Sequence, residues 1–190
     1  MFFEAIPRGY GTWSIRMDIP LTRLDAPRRW VLGLGSNLGD RARHLHAAVI
    51  ALAATPGITV LGVAPLYESP PFGGPEQGDY LNSAVLIDST LPPRDLLSVA
   101  LSVEQREGRI REEGTRWGPR TLDVDLLWIE GAIVDEAGLV VPHPGLPDRV
   151  FALRPLLDLV PDARDPRSGA PYATFAAASH PIRRFPAPAA

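Results

Sequence analysis

Three observations predict an α+β fold for this chain of 190 residues. Some stretches carry apolar residues at helical spacing, while others are rich in β-branched residues or alternate apolar with polar. Pro and Gly cluster between those stretches and punctuate them. The order that results is strand, helix, strand, strand, helix, strand. It suits a ferredoxin-like sandwich, an antiparallel sheet covered on one face by two helices. A doubly wound sheet needs regular strand–helix alternation, and the adjacent second and third strands break it.

Residues 1–29 have no clear periodicity and contain several Pro, Gly and Arg, so they are expected to form a loose, poorly ordered extension. The folded domain is expected over 30–178. WVLGLGS (30–36) reads as a buried strand. Asn37 and Asp40 suit the start of a helix, on which Leu45, Val49, Leu52 and Ala53 recur at helical spacing. Pro56-Gly57 ends it. ITVLGVAPLYES (58–69) is expected to be a second strand, and PPFGGPEQGD (70–79) a loop. YLNSAVLIDS (80–89) reads as a third strand. Pro92-Pro93 sit where a first helical turn tolerates proline. The second helix then carries Leu96, Leu97, Ala100, Leu101 and Glu104 on adjoining positions. A charged loop, RIREEGTRWGPR (109–120), leads to a fourth strand, TLDVDLLWI (121–129). A short hairpin and a last helical segment follow. SHPIRRFPAPAA (179–190) is expected to be a flexible tail.

Composition narrows the chemistry. Cysteine is absent, so disulfides, thiolate metal sites and thiol nucleophiles are excluded. The net charge of −3 gives no global basic field for nucleic acid. An RNA-binding module of similar fold lacks support, because no basic-aromatic signature of that kind is present. No apolar run reaches the ~18 residues of a membrane span and no secretory signal opens the chain, so a cytoplasmic protein is expected. All 19 basic residues are arginine. A Walker A lysine is therefore missing, and any phosphate must be held by Arg, His, backbone N–H groups or metal.

The strongest local signal is Asp123-Val124-Asp125. Residues i and i+2 of a strand share a face, so the two carboxylates project together and suit a hard cation such as magnesium. Leu122, Val124 and Leu126 alternate with the acids, as a buried face does. Just upstream, Arg106, Arg109, Arg111, Arg116 and Arg120 lie around Gly108, Gly114 and Gly118. Arginines on a mobile loop beside a metal site serve phosphoryl transfer, where charge spreads over phosphate oxygens. Taken alone, that loop reads better as a solvated one, paired with its own Glu107, Glu112 and Glu113.

Phe72, Tyr80, Asn82, Trp117 and Phe151 supply aromatic faces and an amide suited to a planar heterocycle. Singly, Tyr80 and Phe151 read as core. GLGSNLG (33–39) is a poor dinucleotide fingerprint, with one residue too many after Gly35. His143 is a lone histidine, structural or phosphate-binding. His44 and His46 do not share a helical face, which argues against a metal pair.

Taken together, these stretches resemble the 6-hydroxymethyl-7,8-dihydropterin pyrophosphokinases over about residues 30–171. The likeness rests on GLGSNLGD (33–40), LYESPPFG (66–73), DYLNSAV (79–85), the E-x-x-x-G-R-x-R run from Glu104 to Arg111, RWGPRTLDVDLL (116–127) and VPHPGLPDRVFALRPL (141–156). The resemblance implies transfer of pyrophosphate from ATP to the pterin. It implies Asp123 and Asp125 as ligands of two magnesium ions, with Arg109 and Arg120 completing the catalytic group. It places Ser69, Pro70, Phe72, Tyr80, Asn82, Trp117 and Phe151 around the pterin, with Phe72 and Phe151 stacking on it. It turns Arg111, His143 and Arg149 toward ATP. A monomer acting on small molecules, without nucleic acid or membrane, is expected.

Overall fold

The computed structural model describes residues 26–109 and 118–186. Strand β1 (Arg28–Ser36) leads through a short turn to helix α1 (Arg41–Ala53). Asp40 caps that helix, its carboxylate accepting the Arg43 N–H at 3.1 Å. Asn37 is left for another task, described below.

The stretch expected to be one strand is two, β2 (Ile58–Val63) and β3 (Tyr67–Ser69). Pro65 lies between them and has no N–H to give a ladder. A register shift between Val60 and Gly62 bends β2 as well. Both pieces pair in turn with β4 (Tyr80–Ser89), so the ladder survives the break. Helix α2 (Pro93–Arg106) begins at the second of two prolines, where no intrahelical N–H is required. β5 (Asp123–Ile129), the hairpin of β6 (Val134–Glu136) and β7 (Leu139–Val141), and helix α3 (Val150–Leu159) complete the domain.

The main sheet runs β5-β1-β4-β3, with β2 also along β4, and every pairing is antiparallel. β1 lies between β5 and β4, and its side chains alternate between the two faces. Trp30, Leu32 and Leu34 face α1 and α2, and pack with Leu45 and Leu52 of the first helix and Leu96, Ala100 and Val103 of the second. Val31 faces the other way, into a second cluster with Leu127 and with Ala152, Leu153 and Leu156 of α3. The sheet is therefore covered on both faces, two helices on one and α3 on the other. Full burial of such side chains stabilises by ~1.5–3 kcal/mol each.

The expected flexible tail needs correction over its described part. Arg183–Arg184 form a short strand, β8, on the outer edge of β3. An open strand edge offers unpaired N–H and C=O groups. The Phe185 N–H reaches the Leu66 carbonyl at 2.8 Å, which extends that pairing. The first 25 residues, and the last four, lie outside the described residues. Among the described residues, no helix is long and apolar enough to cross a membrane.

Candidate active site

β1 contributes to the site by what it lacks. Gly33 and Gly35 stand opposite Asp125 and Asp123 of β5, and opposite Ala84 and Asn82 of β4. Neither glycine fills the floor between those strands. A Cβ on Gly33 would stand 2.9 Å from Leu127 Cδ1, and one on Gly35 would stand 3.6 Å from Asn82 Oδ1. The glycines of the GLGSNLG run thus keep a cleft open above β1, in place of the dinucleotide turn that the pattern superficially suggests.

One cleft collects most of the expected residues. Asp123, Asp125 and Arg120 line one side. Ser69, Pro70, Phe72, Tyr80 and Asn82 line the other, and Arg149 and Phe151 close it from the start of α3. The buried Asn82 amide donates to Ser69 Oγ at 3.0 Å, which fixes its orientation. Arg111 and Trp117 lie outside the described residues.

The acids and arginines form a graded network. Arg120 Nη1 donates to Asp123 Oδ2 at 2.8 Å. Arg109 pairs with Asp123 Oδ1 and with the buried Glu104. Glu104 also accepts the Val124 N–H at 2.8 Å, so this α2 residue is bound to β5 between the two aspartates. Burial, and then the charge of Asp123, push the Asp125 carboxyl up to about 7. Two hard carboxylates crowded on one strand face fit magnesium, which takes one or two carboxylates and leaves its other positions to water and phosphate. Among the described residues no group of three or more His, Cys, Asp or Glu side chains is placed to hold a metal ion.

The aromatic pair is present. Phe72 and Phe151 meet edge to face with ring centres 6.1 Å apart. The Arg149 guanidinium lies 5.6 Å from the Phe72 ring centre and 5.9 Å from that of Phe151. His143 stands back from the cleft wall. Its Nδ1 accepts the Gly145 N–H at 3.0 Å, which in the neutral ring leaves the proton on Nε2. Burial first, and Arg149 second, hold its pKa below the ordinary value, favouring that neutral form.

Sequence reasoning did not single out Asn37, Gln77 or Glu104 as members of the site. Asn37 ties three parts of it together. Its Oδ1 accepts the Arg120 N–H at 2.8 Å, and its Nδ2 donates to Gln77 Oε1 at 2.9 Å. Gln77 belongs to the loop between β3 and β4 and lines the cleft. Glu104 could have been found, because it is an acid within the stripe of Leu96, Ala100 and Val103 that faces the core.

Fold and site together define a ferredoxin-like α+β protein whose cleft joins an acidic, arginine-flanked pole to an aromatic slot. Comparison with known proteins narrows that class. The family model for 7,8-dihydro-6-hydroxymethylpterin-pyrophosphokinase (HPPK) matches residues 31–161. The 2-amino-4-hydroxy-6-hydroxymethyldihydropteridine pyrophosphokinase of Methylorubrum extorquens is 50% identical over 134 residues, which cover 70% of this chain and 84% of that one. The Synechocystis protein of the same name is 42% identical over 153 residues, 79% of this chain and 77% of its own. The chain belongs to the HPPK family. Among solved structures, the wild-type HPPK-DHPS of Plasmodium falciparum superposes with a TM-score of 0.59 at 12% identity, over 78% of this chain. That likeness concerns the fold, and this chain matches 44% of the length of the Plasmodium chain.

Proposed function

We propose that this protein transfers the pyrophosphoryl group of ATP to the hydroxymethyl group of 6-hydroxymethyl-7,8-dihydropterin, giving AMP and the pterin diphosphate in folate biosynthesis. The observation that carries this reading is the single cleft in which Asp123 and Asp125 face the Phe72–Phe151 slot, in a chain of the HPPK family. The pterin hydroxyl attacks the β-phosphorus, and the bond from that phosphorus to the α-phosphate oxygen breaks.

Asp123 and Asp125 would hold two magnesium ions. When bound, these neutralise the triphosphate and acidify the hydroxyl. Arg120 and Arg109, now paired with Asp123, stand ready to exchange that partner for phosphate oxygens. Asn82 and Ser69 present fixed polar groups to the pterin edge, with Pro70 and Tyr80 beside them, and Trp117 joins this set by the family resemblance. Phe72 and Phe151 stack on the ring. To admit it, Arg149 leaves the slot and turns with Arg111 and the Nε2–H of His143 toward the nucleotide. A cytoplasmic monomer suits two small, water-soluble substrates.

Product analysis tests the reading. Purified protein, magnesium, ATP and the pterin are mixed, and the adenine nucleotides are separated. AMP formation that depends on the pterin, without ADP, is the expected result. ADP in place of AMP overturns pyrophosphoryl transfer, and no turnover by folded protein overturns the enzymatic reading.

A further inference from the structure

The loop between β3 and β4 carries Phe72 and Gln77, both on the cleft wall. Its two stems end at Ser69 and Tyr80, which are paired across the ladder. Pro70-Pro71 start the loop, while Gly73 and Gly74 adopt positive φ of 83° and 87°. Glycines at such positions do not by themselves restrain a loop. Beside the ladder, and the Asn37 contacts to Gln77 and the Gly78 carbonyl, side chains outside the loop can add to what fixes its stems.

Arg41, the first residue of α1, reaches both. Its Nη2 meets Glu68 Oε1 at 2.8 Å, one residue before Ser69. Its Nη1 donates to the Asp79 carbonyl at 2.7 Å, one residue before Tyr80. The guanidinium also lies 5.9 Å from the ring centre of Phe185, just beyond β8. Glu68 is buried, with its side chain only 7% exposed. Its other oxygen is met by Arg183 of β8. A buried carboxylate needs such partners, and a planar guanidinium can serve two acceptors at fixed angles. Neither Arg41 nor Glu68 lines the cleft.

We infer that Arg41 is a positioning residue for the pterin side of the site: gripping Glu68 and the Asp79 carbonyl, it sets the span of the 70–79 loop and so the placement of Ser69, Phe72 and Tyr80. The β8 segment backs this clamp through Arg183 and Phe185. The inference rests on the reading of that side of the cleft as the pterin pocket.

Full-length Arg41→Gln and Arg41→Lys enzymes test it with the pterin varied at saturating MgATP, and with MgATP affinity measured separately by calorimetry. Arg41→Gln is expected to raise the pterin KM on the order of tenfold, the scale of losing a contact that orients binding groups. MgATP affinity should stay within about twofold of the parent, since the ATP-facing residues lie on other elements. Arg41→Lys should recover part of the loss, because an ammonium reaches Glu68 but lacks the fork that also serves Asp79. A pterin KM within about twofold of wild type in folded Arg41→Gln, or equal losses for both ligands, overturns the inference. Limited chymotrypsin digestion reads the loop without any ligand. Cleavage after the exposed Phe72 should be several-fold faster in Arg41→Gln, and an unchanged rate also overturns the clamp. Because the digestion needs no substrate, a wild-type enzyme that makes no AMP would refute the functional reading and leave the clamp to be judged on that rate.

Discussion

Asp125 stands two residues from Asp123 on the cleft floor, and its carboxyl is pushed up to about 7, first by burial and then by that neighbour's charge. An acid whose folded pKa is raised in this way loses stability as pH rises through the window from its ordinary value near 4 to about 7. At pH 8 without metal the full cost is present. Asp125→Asn should therefore raise the unfolding free energy at pH 8 in magnesium-free buffer by roughly 1–3 kcal/mol. The same change should lower turnover at least on the order of 10²-fold. Urea titration and AMP release measure the two effects, and a variant that is less stable and still active would remove Asp125 from the metal-binding role. His143 works with the opposite sign. Its pKa is held below the usual 6.5, so below that pH the unfolded chain takes up a proton that the folded ring resists. Stability should fall as pH drops from about 6.5 toward 5. His143→Gln keeps an acceptor for the Gly145 N–H but cannot titrate, so the Tm difference between variant and parent should move in the variant's favour as pH falls from 7.5 to 5.5. An unchanged difference would assign the acid sensitivity to other groups.

Elements bring these residues together through a few long-range ties. Glu104 joins α2 to β5 by accepting the Val124 N–H and pairing with Arg109, with its side chain only 2% exposed. Glu104→Ala would leave that N–H and part of the guanidinium buried without the acceptor they now share. The expected loss is roughly 2–4 kcal/mol in urea unfolding, together with a slower chemical step because Arg109 loses its anchor. Glu104→Gln, which keeps one acceptor, should recover part of the stability. A loss below about 0.5 kcal/mol for the alanine variant, the scale of a surface change, would contradict the anchoring role. What was legible at this scale follows from the same physics. Helical spacing marked α1 and α2, and the Asp-x-Asp alternation marked the face of β5. The break at Pro65 was visible as a residue but not as a boundary, because the run on both sides is equally strand-like. β8 left no trace, since two residues carry no period and its partner β3 is more than a hundred positions away. The role of Gly33 and Gly35 was hidden too, because an open floor is defined by Asp123, Asp125 and Asn82 on neighbouring strands.

Across the whole molecule, one compositional fact bears on how the site meets phosphate. All 19 basic residues are arginine, so no lysine ammonium is available anywhere along the chain. Within the described site the cations facing the acids are Arg109, Arg120 and Arg149, and two of them already share Asp123. Their planar forks make several directed bonds at once, where an ammonium acts as a point charge. This gives a chemical test that spans the molecule. An arginine-directed dicarbonyl such as phenylglyoxal should inactivate the enzyme, and MgATP should slow that loss severalfold by engaging the arginines at the cleft. An amine-directed ester at comparable dose has only the chain terminus to modify and should leave turnover near its starting value. Peptide mapping of the modified protein, with and without MgATP, identifies which arginines are shielded. Protection at Arg120 and Arg149 is the expected pattern. If MgATP gave no protection at either, the triphosphate would have to lie elsewhere, and the acidic pole of the cleft would lose its assigned partner.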